Sequence, residues 1–247
     1  MTTMNRTTTR RPLLVVMAIV LALGAGLYLS GRWRPAQVVR ESVRQPLGAA
    51  RSADVEIAMG VGRLRIAKLD QPSTLIAGEI AYPETHRVDR SFAVSGDTVT
   101  FKLHEQDSQL IKYPNDQAVW DLRLTPATPM RLMIDAGVDE GTIDLTQLKV
   151  TDLDVKTGVG TTTLTLPREG QVRAHLSSGV GNTTIRIPAG VAARMALDAG
   201  VGSIDVLGNY QRHGNTYISP DFDTAANRVD LMASSGVGSI TIQQISE

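Results

Sequence analysis

The sequence predicts an all-β protein: a single-stack β-solenoid with coils of about 21 residues and a lateral β-elaboration, preceded by one transmembrane helix. Three observations predict it. Gly-Val-Gly stands at Gly158-Val159-Gly160, Gly179-Val180-Gly181 and Gly200-Val201-Gly202, with a variant at Gly137-Val138-Asp139, each 21 residues from the next. A fixed period of that length is one supersecondary unit stacked on itself. Within each period apolar and polar residues alternate, as in Leu153-Asp154-Val155-Lys156 and Ile185-Arg186-Ile187, which is the pattern of strands with one buried face. Finally, Leu13 to Ser30 hold no charge, an 18-residue run that just spans a bilayer core.

Taken in chain order, residues 1–11 form a short tail carrying Arg6, Arg10 and Arg11, and residues 12–31 the membrane span, helped by interfacial Tyr28 and Trp33. The apolar run continues past Ala22-Leu23-Gly24, a marginal cleavage site, so the segment reads as an uncleaved anchor. Arg32, Arg34, Arg40 and Arg44 follow the span, so basic residues lie on both sides. The basic-first order places the rest of the chain outside the cytoplasm, as a single-pass protein of the cell membrane. Residues 32–52 read as a linker with Val38, Val39 and Val43 as a short apolar pattern.

The solenoid domain covers 53–247. Alternation begins around Gly60-Val61-Gly62, an outlying copy of the repeat, with Val55 and Ile57 before it and Leu64 and Ile66 after. Residues 67–129 are β-sequence of less regular spacing. Strands are expected at Leu75–Ile80, Phe92–Val94, Val99–Leu103 and Val119–Leu124, with a hairpin turn at Ser95-Gly96-Asp97. This part is read as packing beside the first coil. Residues 130–206 are the regular coils. Between Gly200 and the next copy, Gly236-Val237-Gly238, the spacing is 36 residues, so 207–228 are an inserted polar loop and 229–245 the last coil. Loops inserted on solenoids often carry binding.

Laid over one another, the coils give four columns read as inward: Val138, Val159, Val180, Val201; Ile143, Leu164, Ile185, Val206; Ile134, Val155, Leu176, Leu197; and Leu132, Leu153, Ala174, Met195. The first is expected to form part of the core. The glycines Gly60, Gly62, Gly137, Gly158, Gly160, Gly179, Gly181, Gly200, Gly202, Gly236 and Gly238 are expected to turn the coil corners, where a Cβ has little room. Outward columns stack Arg131, Asp152 and Arg173, and Asp135 with Lys156, as charge ladders.

Charge is balanced, 25 basic against 25 acidic residues, with no dense basic stripe outside the N-terminus, which argues against nucleic acid as a partner. With no cysteine there is no disulfide, thiolate nucleophile or cysteine metal site.

The run Trp120-Asp121-Leu122-Arg123-Leu124, then Pro129-Met130-Arg131-Leu132, Ile134-Asp135-Ala136-Gly137 and Ile143-Asp144-Leu145 precedes the Gly-Val-Gly coils in that order. This resembles the bacterial toastrack domain of LiaF-like proteins, over about residues 53–245. The resemblance implies a link to the response to cell-wall-active antibiotics. LiaF-like proteins usually carry several spans before the domain, and one is expected here.

Little chemistry rises above this framework. Asp135, Asp139, Glu140 and Asp144 gather at one corner, but no EF-hand or nonapeptide spacing supports Ca²⁺, and a solvated turn is expected. Asp154 and His175 lie one coil apart on one outer face, with nothing else assembled around them for acid–base work. His86, His104 and His213 share no ligand spacing, and Ser177-Ser178-Gly179 and Ser234-Ser235-Gly236 are corners, not nucleophile elbows. The expectation is a non-catalytic protein without metal or cofactor, acting by contact with another envelope or membrane protein in envelope stress. A surface-binding or adhesive module and a self-assembling scaffold are the alternatives.

Overall fold

The computed structural model describes residues 37–107, 118–137 and 140–246. The predicted tail and membrane helix, with Val138 and Asp139, lie outside the described residues; within them no helix is long and apolar enough to cross a membrane. Fifteen strands and no helix make up the described part.

The repeating unit is a bent rung. In β10 (Val150–Thr165), Leu153 and Val155 are buried before the Gly158–Gly160 corner and Leu164 after it, all in one core. The strand therefore turns at the glycines and contributes to two facing layers. β11 (Gln171–Pro188), β12 (Ala192–Leu207) and β15 (Arg228–Ile245) do the same. Earlier rungs comprise two strands each: β2 (Ser52–Met59) with β3 (Gly62–Lys68), β6 (Thr98–Asp107) with β7 (Ala118–Leu124), and β8 (Met130–Ala136) with β9 (Glu140–Asp144). Rungs pair in parallel, like residue over like: Leu153 on Ala174, Val155 on Leu176, Leu164 on Ile185.

The rungs do not stack in chain order. β15 lies between β11 and β12 and pairs with both in parallel, Ala233 touching Leu176 on one side and Leu197 on the other. A mirror of this occurs at the opposite end, where the β6/β7 rung lies outside the β2/β3 rung. From β7 the chain passes over that rung to β8 and β9, which pair with β2 and β3. The segment expected as a lateral elaboration thus supplies a full rung, closed off by β5 (His86–Ser95) beside β6 and by β4 (Thr74–Pro83) beside β7. The predicted strands and the turn at Gly96, with φ +58°, all form. The segment read as a linker is in part a strand. β1 (Val38–Pro46) pairs antiparallel with β4 and buries Val43, because Val39, Glu41 and Val43 alternate toward the core with Arg40, Ser42 and Arg44. The inserted loop is also partly ordered into strands: β13 (Gln211–His213) and β14 (Thr216–Ile218) form a hairpin against β12 at Arg194–Ala196.

Three of the expected columns are core. Ile134, Val155, Leu176 and Leu197 are at most 1% exposed, and Leu132, Leu153, Ala174 and Met195 are buried. Ile143, Leu164 and Ile185 are buried, with Val206 half-buried on the end rung. Each fully buried aliphatic contributes about 1.5–3 kcal/mol before chain entropy is subtracted.

The valine column points the other way. Val159, Val180 and Val201 are 63%, 46% and 68% exposed; Val237 shares their position on the rung between β11 and β12, and Val61, at the corner between β2 and β3, is exposed as well. The two layers converge at the corner, leaving room inside for backbone alone, so the apex residue turns outward. Inward parity then resets, from odd residues (Leu153, Val155) before the corner to even ones (Thr162, Leu164) after it. The glycines flanking each valine have the role expected. A Cβ on Gly179 would lie 2.6 Å from the Gly158 carbonyl oxygen, and one on Gly181, at φ +138°, 1.8 Å from that of Gly160. Corners stack this closely because nothing but backbone occupies them.

Candidate functional site

The outer face of the first layer carries the most elaborate polar arrangement among the described residues. Its central column, read across the rungs as they stack, is Asp54, Arg131, Asp152, Arg173, Asp230, Arg194. Charges alternate without a break. In chain order Arg173 would meet Arg194; β15 places Asp230 between them. Arg173 Nη2 lies 2.6 Å from Asp152 Oδ1, and Arg194 forms an ion pair with Asp230 through both Nε and Nη2. That bond, with the Asp230 charge behind it, holds the Arg194 guanidinium above its ordinary pKa. These side chains are largely in solvent, so each pair contributes only about 0–1 kcal/mol. The observed rung order is the one in which unlike charges are opposed throughout this column.

The inserted segment builds a groove on this ladder. After β14, Ser219 is tied to β12 in both directions: Ala193 N–H donates to its Oγ at 2.9 Å, and its own N–H donates to the Ala193 carbonyl at 2.8 Å. The turn that follows brings Phe222, 8% exposed, under Arg194, with the guanidinium carbon 4.8 Å from the ring centroid. At the far side Arg228 donates to Gln171 Oε1 at 3.0 Å and to the Ala225 carbonyl. The result is an open groove of about 550 Å³, walled by Arg173, Arg194, Arg228, Asp152, Asp223 and Asp230. A second groove of about 530 Å³ continues it across Asp154 and His175, with Met133 and Met232 at its rim.

Asp154 and His175 are therefore register partners on adjacent rungs, as the spacing implied. No hydrogen bond joins them among the described residues, and Asp154 Oδ1 is buried without a partner. The acidic corner does not converge on one point. Asp135 stands beside Lys156, Glu140 pairs with Arg63 at 3.4 Å, and Asp144 accepts from the Thr146 N–H and hydroxyl. Asp139 is outside the described residues. The histidines are separate: His86 lies 2.6 Å from Glu105, which also accepts from the Gly60 N–H, His104 contacts Glu56, and His213 sits in the β13 hairpin. Lys102 first, with His104 adding to it, holds the Glu56 carboxyl below its ordinary range.

Sequence reasoning pointed to the inserted segment but missed Phe222, Asp223 and Arg228 individually. The legible signal was electrostatic: Arg173 and Arg194 repeat one sign in consecutive coils, and Asp230 is the opposite charge at the equivalent position.

Comparison with known proteins follows the fold. A family model described as the N-terminal domain of toast_rack, DUF2154, matches residues 34–186. No curated protein matches the chain. A crystal structure of a candidate cell adhesion protein from Clostridium sporogenes ATCC 15579 superposes with a TM-score of 0.77 at 22% identity, covering 85% of this chain and 100% of that one. A candidate adhesin from Bacteroides fragilis NCTC 9343 aligns over 85% of this chain and 98% of its own, at 11% identity and a TM-score of 0.33. At these identities the first likeness is one of fold, and the second carries no argument.

Proposed function

The chain belongs to the toast_rack N-terminal domain family, and from that premise we propose that it is a non-catalytic binding module of the bacterial cell envelope. It is held at the membrane by its N-terminal segment, outside the cytoplasm, and works through contact with another envelope protein. The observation that carries the reading is the groove: an insertion in an otherwise regular stack lays Phe222 and Asp223 on a ladder of paired charges. An open surface of fixed, alternating guanidinium and carboxylate groups suits a polar partner surface, where charge placement sets specificity and encounter rate. The acid–base alternative finds less support, since among the described residues no hydrogen bond orients Asp154 or His175. A role in envelope stress is the finer form of this proposal. Adhesion, the description carried by the Clostridium protein, is the second reading, with a surface glycan in the same groove.

Two measurements test it. A membrane-impermeant maleimide on intact cells is expected to label Asn215→Cys, in a chain with no other cysteine; labelling only after lysis would overturn the extracytoplasmic placement. The full chain is then captured with cross-linked envelope proteins and, separately, with isolated cell wall. Loss of protein capture in Arg194→Glu is expected, retention would remove the groove, and cell-wall binding alone would favour adhesion.

A further inference from the structure

The outward valines form a second surface, independent of the groove. Val159, Val180, Val237 and Val201 lie on four consecutive rungs in that order, 46–68% exposed, each between two glycines. At about 4.8 Å per rung they make a straight apolar ridge along the convex corner. Beside it, on the first-layer flank, runs the column Lys156, Ser177, Ser234, Asp198. Among the described residues neither Lys156 nor Asp198 forms an ion pair, although Asp135 is the register neighbour of Lys156 on the β8 rung, and both are exposed. On the other flank the same four rungs carry Thr161, Asn182, Ser239 and Ser203, which are neutral.

We propose that this ridge packs against the same ridge of a second copy, antiparallel, about a two-fold axis passing between the β11 and β15 rungs. The charges select this arrangement. A two-fold perpendicular to the ridge keeps the first-layer flanks of both copies on one side. It sets the β10 rung opposite the partner's β12 rung, and β11 opposite the partner's β15. Lys156 then meets Asp198 of the other copy, twice by symmetry, while Ser177 meets Ser234. Across the ridge Val159 faces Val201, Val180 faces Val237, and the glycines between leave room for the valines to interleave. On the second-layer flank Thr161 meets Ser203 and Asn182 meets Ser239, with no like charges opposed. A parallel two-fold would set first-layer against second-layer flanks, leaving Asp198 beside neutral residues and Lys156 with Asp135 of its own chain alone.

The absence of cysteine makes the test clean. Lys156→Cys and Asp198→Cys versions of the full chain, purified in detergent, are oxidised separately and as a mixture. A disulfide needs Cα atoms about 4.4–6.8 Å apart. In the proposed dimer residue 156 is three rungs, roughly 14 Å, from its own copy. A covalent dimer is therefore expected in the mixture and in neither variant alone. No dimer in the mixture, or a dimer from either variant alone, overturns the arrangement. By sedimentation, Lys156→Asp and Asp198→Lys are each expected to weaken self-association roughly tenfold, the loss of two surface pairs, and the double variant to restore it. Singles that associate like the parent would also overturn it.

Discussion

Replacing Gly181 with alanine tests how closely the corners stack. The new Cβ would lie 1.8 Å from the Gly160 carbonyl oxygen, and the residue would have to hold φ at +138°. An ordinary contact between such atoms is about 3.3 Å or more, so the β10 and β11 rungs must part by roughly 1.5 Å at the corner. Parting them leaves at least one ladder group unsatisfied, at about 1–3 kcal/mol, and the backbone strain adds about 1–3 kcal/mol. A loss near 4 kcal/mol is expected, a large share of the roughly 5–15 kcal/mol a domain has. Gly137→Ala is the matched control. Its Cβ would stand 3.4 Å from the Gly60 oxygen, with no positive φ, so a change within about 1 kcal/mol is expected. Residues 37–247 form a compact unit with Trp120 as sole tryptophan, fully buried, so urea unfolding followed by its fluorescence reports the stack directly. Equal midpoints for the two variants would refute the corner argument.

Leu176→Ala, in the core, should lose about 2–5 kcal/mol, whereas Val180→Asp, at an apex exposed in the single chain, should stay within about 1 kcal/mol in the same urea assay run at a concentration where the chain is monomeric. Asp230→Arg removes one ion pair and places three guanidiniums in succession; about 1–2 kcal/mol of destabilisation is expected. Adding Arg194→Asp should return part of it in a double-mutant cycle, and strict additivity would mean the ladder does not couple the rungs. Burial, aided by its bond to Glu41, raises the Tyr82 hydroxyl to about 12 from its ordinary 10. The folded state therefore keeps this proton longer than the unfolded one. Its contribution is whole below pH 10 and is lost as pH climbs from about 10 toward 12. Tyr82→Phe should flatten that alkaline limb, and an unchanged limb would assign it to other groups.

Strands and core columns were legible because period-2 alternation and a 21-residue repeat each constrain many residues at once. The order of rungs was not, because a repeat says which residues are equivalent and not which copies touch. Only the Arg173–Arg194 repetition hinted that something must intervene. Valine phase was hidden for a local reason: alternation fixes the inward face along a straight strand, and the parity is reset where the chain bends at Gly158–Gly160. β1 was passed over because Arg40, Glu41 and Arg44 resemble a solvated linker, although Val39, Glu41 and Val43 already alternate. In the groove, Arg173 and Asp152 were visible as ladder members, but Phe222 lies in an aperiodic segment where no pattern identifies a partner.

The interleaved placement of β15 has a kinetic consequence. β12 is joined to β11 by a three-residue connection, yet ends two rungs from it, about 9.6 Å away. A folding chain can stack β12 directly on β11, and their matching apolar columns would reward the mistake. Such an intermediate sets Arg194 on Arg173 and leaves Asp230 unmatched, so like-charge repulsion makes it the weaker stack and eases its reopening. In such a stack the ladder would act as a proofreader of assembly, favouring release of a near-cognate rung so that β15 could enter the gap.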